Sequence, residues 1–405
     1  MMEPGLRNYL IITGGYWAFT LTDGAIRMLV VLYFHLLGYS PLEVAMLFLF
    51  YEFFGIITNL VGGWLGTRIG LNLTMHIGMA LQIFALAMLM VPDSWLSVAY
   101  VMLAQALSGI AKDLNKMSAK ASIKTLLPTA DHASTLFKWI AVLTGSKNAL
   151  KGLGFFVGAL LLELFEFRGA LAVLSGSLLI VLLLSIFALP TGLGKLKNKT
   201  KFTKVFSNSQ EINWLSAARF FLFGSRDIWF VVALPLFLYS VLGWRFSEVG
   251  AYLALWVIGY GIVQAAAPRL LRKTHHGLGP DGSTARLWAF ILVPIPALIA
   301  VALHYDVFTQ LTLTIGLIIF GSVFAINSAV HSYLVVAWSD QAKVSMNVGF
   351  YYMANAAGRL TGTVLSGWIY QDYGLETCLY CATGMVLAAA LLSIYLPTSG
   401  QLANR

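Results

Sequence analysis

Twelve ionisable side chains sit inside otherwise apolar stretches of the sequence: Asp23 and Arg27, Glu52, Lys112, Asp113 and Lys116, Lys147 and Lys151, Arg219, Arg226 and Asp227, and Arg359. In hydrocarbon each ionised group costs on the order of 2.5–3.5 kcal/mol even on a lenient insertion scale, so such residues face a watery cavity or a partner. Cations outnumber carboxylates here by about two to one. Asp23 and Arg27 stand four residues apart, the spacing of a helical ion pair, and Asp227 has an Arg beside it; several Lys and Arg then remain unmatched. An unneutralised basic cavity expects an anion. Arg supplies a planar fork for phosphate, arsenate or carboxylate oxygens, and Lys a movable point charge. The candidates for anion binding are therefore Arg27, Lys112, Lys116, Lys147, Lys151, Arg226 and Arg359. Asn115, Asn148, Asn327, Tyr351, Tyr352 and Asn355 supply hydrogen bonds beside them. Asp23, Glu52, Asp227 and His331 are the candidate proton carriers. Bland readings stand beside these: Arg219 as a structural cation near a helix end, Lys120 and Lys124 as snorkelling residues on the face of Lys112 and Lys116, and His331 as a packing residue.

The elements that carry these groups follow from composition. Only 11% of the 405 residues are charged, 59% are hydrophobic and the mean hydropathy is +0.80, whereas a soluble domain carries about 25% charged residues. Apolar runs of roughly 20 residues, enough to cross a ~30 Å hydrocarbon core, recur from end to end. They predict helices near 10–36, 42–66, 71–91, 95–125, 134–163, 169–190, 213–241, 248–270, 285–303, 308–337, 343–369 and 375–396, about twelve spans in all. The first run carries Asp23 and Arg27 and has no small-residue cleavage site, so it reads as a retained helix rather than a signal peptide. Arg68, Lys195, Lys197, Lys199, Lys201, Lys204, Arg269, Arg272, Lys273, Arg286, Lys343 and Arg405 fall on one side, against Arg168 and Arg245 on the other, which places both termini in the cytoplasm. The net charge of +9 is this asymmetry and does not point to nucleic acid. Cys378 and Cys381 lack further ligands for a metal. No metal, no cofactor and no catalytic group is expected, and the chain is expected to act as a monomer in the bilayer.

The sequence also repeats itself. Leu37-Gly38-Tyr39-Ser40-Pro41-Leu42-Glu43-Val44-Ala45 matches Leu242-Gly243-Trp244-Arg245-Phe246-Ser247-Glu248-Val249-Gly250 without a gap at Leu-Gly, an aromatic, and Glu-Val. Gly109 and Asn115 are echoed by Gly321 and Asn327, and Gly63-Trp64-Leu65 with Gly70 by Gly367-Trp368-Ile369 with Gly374. The expected fold is thus an all-α polytopic membrane protein of two pseudo-symmetric six-helix halves, 1–190 and 213–405, joined by a basic cytoplasmic linker at 191–212. Secondary transporters are built from such repeats, with the substrate held at the bilayer midplane.

Gly63-Trp64-Leu65-Gly66-Thr67-Arg68-Ile69-Gly70 resembles the loop motif between the second and third helices of the major facilitator superfamily, with Thr67 in place of the usual acidic residue. Lys151-Gly152-Leu153-Gly154-Phe155-Phe156-Val157-Gly158 is similar to the glycine-rich fifth-helix motif of its antiporters but lacks the proline, so its glycines are expected to serve close packing. Within that superfamily the chain resembles the organoarsenical efflux permeases of bacterial arsenic-resistance operons, the ArsJ type. The segments Tyr16–Arg27, Phe50–Gly55, Gly109–Lys120 and Gly145–Gly152 carry this likeness. The resemblance implies export of 1-arseno-3-phosphoglycerate across the bacterial inner membrane, with glyceraldehyde-3-phosphate dehydrogenase as the functional partner that makes it. Another organic anion or sugar phosphate is the alternative cargo. His304-Tyr305-Asp306 is the faint trace of a membrane-embedded enzyme.

Overall fold

A backbone in lipid must satisfy its own N–H and C=O groups, and a chain this apolar does so with helices. The computed structural model describes residues 4–126, 133–193, 210–272, 280–338 and 344–398, and no strand occurs among them. The helices are α1 (Pro4–Leu36), α2 (Pro41–Met46), α3 (Leu49–Ile69), α4 (Leu71–Met88), α5 (Val98–Leu126), α6 (Ala133–Ala188), α7 (Gln210–Phe230), α8 (Ala233–Ser240), α9 (Phe246–Arg272), α10 (Gly282–Leu292), α11 (Pro294–His304), α12 (Thr309–Ala337) and α13 (Val344–Leu392). Among the described residues nine stretches are long and apolar enough to cross a bilayer. Two of these, Gly145–Ala188 and Gly349–Tyr395, run to 44 and 47 residues, about twice what one crossing needs at ~1.5 Å per residue. Each contains one non-helical residue, Glu166 in α6 and Gly374 in α13, and so comprises two spans. With α5, whose own charges lower its hydropathy, the expected architecture of about twelve spans is present. The linker lysines Lys195, Lys197, Lys199, Lys201 and Lys204, with Lys273, Lys343 and Arg405, lie outside the described residues.

The repeat read from the sequence has a physical counterpart. Gly38 and Gly243 both hold a positive φ, 87° and 68°, which turns the chain before the next helix. Glu43 and Glu248 then each accept a hydrogen bond from the backbone N–H three residues earlier, Ser40 and Arg245, at 2.8 Å in both cases. At Ser40 the side chain completes a capping box; at Arg245 the carboxylate alone caps. The echo of Gly70 in Gly374 is less direct. Both have positive φ, 98° and 76°, but the residue that shares Gly374's place in a helix break is Glu166 (φ 58°, ψ −178°).

The chain divides into two compact units. The first takes residues from Met1–Leu36, Phe50–Phe202 and Arg245–Ile258. In it α6 lies against α1 backbone to backbone: a Cβ on Gly154 would strike the Leu21 carbonyl oxygen, and one on Gly158 that of Ala25. The glycine-rich stretch thus serves close packing, as expected. The start of α9 packs on α6 by the same means, Gly250 against Phe155 O and Ala159. The second unit takes residues from Leu37–Leu49, Thr203–Trp244 and Gly259–Arg405. There α13 lies on α7, with Gly358 against the Phe220 carbonyl and Gly362 against that of Gly224, and α2 packs on α13 where Ala45 meets Gly367.

Candidate functional site

In the first unit the buried charges gather around one tyrosine. Arg27 of α1 donates from Nη2 to Glu52 Oε1 of α3 at 2.9 Å, with the arginine side chain 5% and the carboxylate 0% exposed. Lys112 of α5 lies 4.0 Å from the other oxygen of Glu52. The ring of Tyr51 faces both cations, 4.0 Å from Lys112 Nζ and 5.1 Å from the Arg27 guanidinium carbon, a favourable place for positive charge in a dry interior. Its hydroxyl donates to Asp23 Oδ1 at 2.5 Å, and Lys151 of α6 stands 3.6 Å from Asp23 Oδ2. Lys116 donates to Asp113 Oδ1 and Asn59 Oδ1, each at 2.5 Å. Asn115 returns its amide to the carbonyl of Ala111, and Lys147 is half-buried on α6. Asp23, which the spacing joined to Arg27, is engaged by Tyr51 and Lys151 with Arg27 within electrostatic reach, while the Arg27 guanidinium donates across to Glu52.

In the second unit one carboxylate serves two arginines. Asp227 Oδ1 accepts from Arg226 Nε at 2.7 Å and from its Nη2, while Oδ2 accepts from Arg359 Nε at 2.9 Å. The pairing of Asp227 with a neighbouring Arg is as expected. Arg226 also lies over the ring of Phe223, at 4.9 Å. On the other side of that residue's turn Arg219 contacts the same ring at 3.9 Å. It donates to Asn355 Oδ1 at 2.9 Å and, through Nη1, to Ser328 O and Oγ at 3.2 and 3.1 Å, with the Tyr351 ring at 5.0 Å. Arg219 is 4% exposed. Asn327 and His331 of α12 are buried, and none of their side-chain nitrogens and oxygens has a hydrogen-bond partner among the described residues.

The two clusters are related by the fold. Gly154 and Gly158 contact the carbonyls of Leu21 and Ala25; Gly358 and Gly362 contact those of Phe220 and Gly224. Arg27 lies two residues after Ala25, and Arg226 two after Gly224, so the two arginines hold matching registers in their units. Across both, the surplus of positive charge has an address. Glu52 is shared by Arg27 and Lys112, Asp227 by Arg226 and Arg359, and Arg219 has no carboxylate within ion-pair distance among the described residues. Lys116 and Lys151, by contrast, each face a carboxylate of their own.

This pattern, buried basic groups on the same helices of a repeated bundle, belongs to solute carriers, and the family comparison agrees: the model of the Major Facilitator Superfamily matches residues 12–330. The chain belongs to that superfamily. As a Major Facilitator Superfamily protein it is a multi-pass membrane protein, a transporter by fold rather than an enzyme. Its fold is similar to that of the nucleoside transporter NupG (TM-score 0.74, 13% identity, covering 97% of this chain and 99% of that one). It is similar also to the human organic anion transporter MFSD10 (0.70, 15% identity, 97% and 100%). A bacterial homologue of the iron transporter ferroportin in an outward-facing state is a third likeness (0.68, 18% identity, 96% and 98%). No curated protein sequence matches the chain.

The superfamily's loop motif ends, as expected, at a turn: Gly70 has φ 98°, and Leu71 donates to Leu193 O at 2.8 Å. His304, the residue behind the enzyme reading, pairs instead with exposed Glu376 at 3.2 Å. Sequence reasoning missed Tyr51, which faces two cations and holds Asp23, and Ser328, whose hydroxyl meets Arg219, Tyr260 and Gln264. The Gly-x-x-x-Gly pairs at 154 and 358 were a visible signal that Arg27 and Arg226 correspond.

Proposed function

We propose that this transporter exports an organoarsenical polyanion, 1-arseno-3-phosphoglycerate, from the bacterial cytoplasm by alternating access, and so confers arsenate resistance. The observation that carries the reading is the excess of buried cations over fixed carboxylates, with Glu52 and Asp227 each shared by two cations. A mobile, multiply charged anion would offset that excess during part of the cycle. Tyr16–Arg27, Phe50–Gly55, Gly109–Lys120 and Gly145–Gly152, the segments that carry the likeness to organoarsenical permeases, also supply Asp23, Arg27, Tyr51, Glu52, Lys112, Asp113, Lys116 and Lys151, which meet in the first unit's cluster.

In this reading Arg27, Lys112, Lys116, Lys147 and Lys151, with Asn115, bind one oxyanion end. Arg226 and Arg359, with Asn327, Tyr351 and Asn355, bind the other. Proton exchange through Asp23, Glu52, Asp227 or His331 would drive export, since a carboxylate that takes up a proton releases its cation to the cargo. Both termini lie in the cytoplasm of a bacterial inner membrane, the protein acts as a monomer, and glyceraldehyde-3-phosphate dehydrogenase supplies the ester.

Everted vesicles given arsenate, the dehydrogenase and its substrates test this. Arsenic should accumulate, more so with a proton gradient, and Arg27→Ala or Arg226→Ala should abolish accumulation while the protein stays in the membrane. Absence of loading under any gradient would reject the substrate. Competition by other organic anions or sugar phosphates, with no arsenical uptake, would favour the alternative cargo.

A further inference from the structure

Three of the cations gathered around Tyr51 are fixed by oxygens of the protein. Arg27 donates to Glu52 Oε1 at 2.9 Å, Lys116 donates to Asp113 Oδ1 and Asn59 Oδ1, and Lys151 faces Asp23 Oδ2 at 3.6 Å. Lys112 differs. An ammonium carries three N–H donors, and among the described residues none of those on Lys112 meets a hydrogen-bond acceptor. The one carboxylate within ion-pair distance there is Glu52, whose Oε2 lies 4.0 Å away while its Oε1 accepts from Arg27. A Cβ on Gly55 would lie 3.5 Å from Lys112 Nζ and 3.3 Å from Asp113 Oδ2, yet that oxygen accepts no hydrogen bond. Asp23 is within electrostatic reach of Lys112 but is engaged by Tyr51 and Lys151. The Lys112 side chain keeps 16% of its surface exposed, against 0% for Glu52 and Asp113. What supports its ammonium is the face of Tyr51, 4.0 Å from Nζ.

An aromatic face attracts positive charge but leaves the N–H groups that point away from it open to an acceptor brought from outside. Tyr51 is itself held at two places. Its hydroxyl donates to Asp23 Oδ1 at 2.5 Å, and its carbonyl oxygen lies against α5, where a Cβ on Gly109 would come within 2.4 Å of it. Lys112 is three residues further along that helix. We infer that Lys112 is the ammonium that meets an oxyanion oxygen of the cargo in the first unit, and that Tyr51 is the positioning residue that holds it ready. This deepens the reading above and rests on it for the cargo, but narrows the first contact from a group of cations to one. Arg27, Lys116 and Lys151 offset the charges of Glu52, Asp113 and Asp23, so that none of these carboxylates captures Lys112.

The test is affinity labelling of the purified full-length protein in detergent with pyridoxal 5′-phosphate. This phosphate-bearing aldehyde condenses with a lysine amine to an imine and water, and borohydride reduces the imine to a stable amine that mass spectrometry locates. Lys112 should be labelled, and 3-phosphoglycerate should prevent it. Tyr51→Leu should slow labelling of Lys112 by about threefold or more, whereas Tyr51→Phe, which keeps the ring, should label as wild type; a merely structural role for Tyr51 would not separate the two. Arsenic loading of vesicles should fall about tenfold or more in Lys112→Gln, the loss expected of a charge-assisted bond. No label on Lys112, a label there that no anion prevents, or anion-preventable label on Lys116, Lys147 or Lys151 in its place would each overturn the contact, and wild type alone decides this even where a variant fails to fold. Prevention by phosphatidylglycerol but by no soluble anion would make a lipid headgroup the occupant and overturn it too. Equal rates in wild type and both Tyr51 variants would overturn the role of Tyr51. Label prevented by inorganic phosphate or arsenate but not by 3-phosphoglycerate, without arsenic loading, would reject the cargo while leaving the site. Arsenic loading that persists in Lys112→Gln would do the reverse.

Discussion

Glu166 holds the backbone conformation of Gly374: φ 58° and ψ −178° against φ 76° and ψ −176°. Both residues break a long helix into two spans, and two residues after each break a side chain makes an exposed polar contact, Arg168 with Asp93 and Glu376 with His304. The region with positive φ and extended ψ suits glycine alone and costs other residues about 1–3 kcal/mol. Only one copy of the repeat has the residue that fits. Glu166 is exposed, so its replacement disturbs no packing. Glu166→Gly should raise the melting temperature in detergent, by an amount corresponding to about 1 kcal/mol, and Gly374→Ala should lower it; an unchanged melting temperature in both would show that the break is not strained.

The parts of this molecule that were legible in the sequence are those set by local physics. Hydropathy marks the spans, because a helix in lipid has one length scale. Leu37-Gly38 and Leu242-Gly243 mark the repeat, because a positive φ and a Glu cap need particular residues at fixed offsets. Partners of the buried charges were not legible. Arg27 and Glu52 are 25 residues apart, Arg219 and Asn355 136, and Arg359 and Asp227 132; the i, i+4 rule that joined Asp23 to Arg27 sees one helix at a time. The α12 and α13 partners of Arg219 are hidden for the same reason, since its position near a predicted helix end says nothing of Ser328 and Asn355.

Asp227 holds two guanidinium groups, and that gives it an asymmetric role. Removing one partner of a buried pair leaves the other charge uncompensated, at about 3–5 kcal/mol. Asp227→Asn should therefore sharply reduce the yield of monodisperse protein and its melting temperature. Adding Arg226→Gln to Asp227→Asn should restore part of the loss, because one of the two stranded cations is gone. A double variant as unstable as the sum of the singles would mean that the groups do not interact.

Tyr51 offers two separable contacts. Tyr51→Phe deletes the hydroxyl that donates to Asp23 but keeps the ring beside Lys112 and Arg27; it should cost about 0.5–1.5 kcal/mol. Tyr51→Leu removes the ring as well and should cost about 0.5–2 kcal/mol more. Thermal melting of the three proteins measures both steps. Equal stability of the Phe and Leu variants would show that the ring does nothing for the cations.

The glycine contacts on α13 and α6 predict opposite signs for the same substitution. A Cβ at Gly358 would overlap the Phe220 carbonyl oxygen, whereas Gly176 has no atom within 4 Å of where its Cβ would lie. Rigid backbone cannot yield as a flexible side chain does, so Gly358→Ala must push α13 off α7, an overpacking cost of about 1–3 kcal/mol. It should also shift Arg359 away from Asp227, since both sit beside that contact. Gly176→Ala meets nothing and gains helix propensity, up to about 1 kcal/mol. Melting temperatures should thus fall for the first and hold or rise for the second, and a stable Gly358→Ala protein would show that α7 and α13 are not in backbone contact.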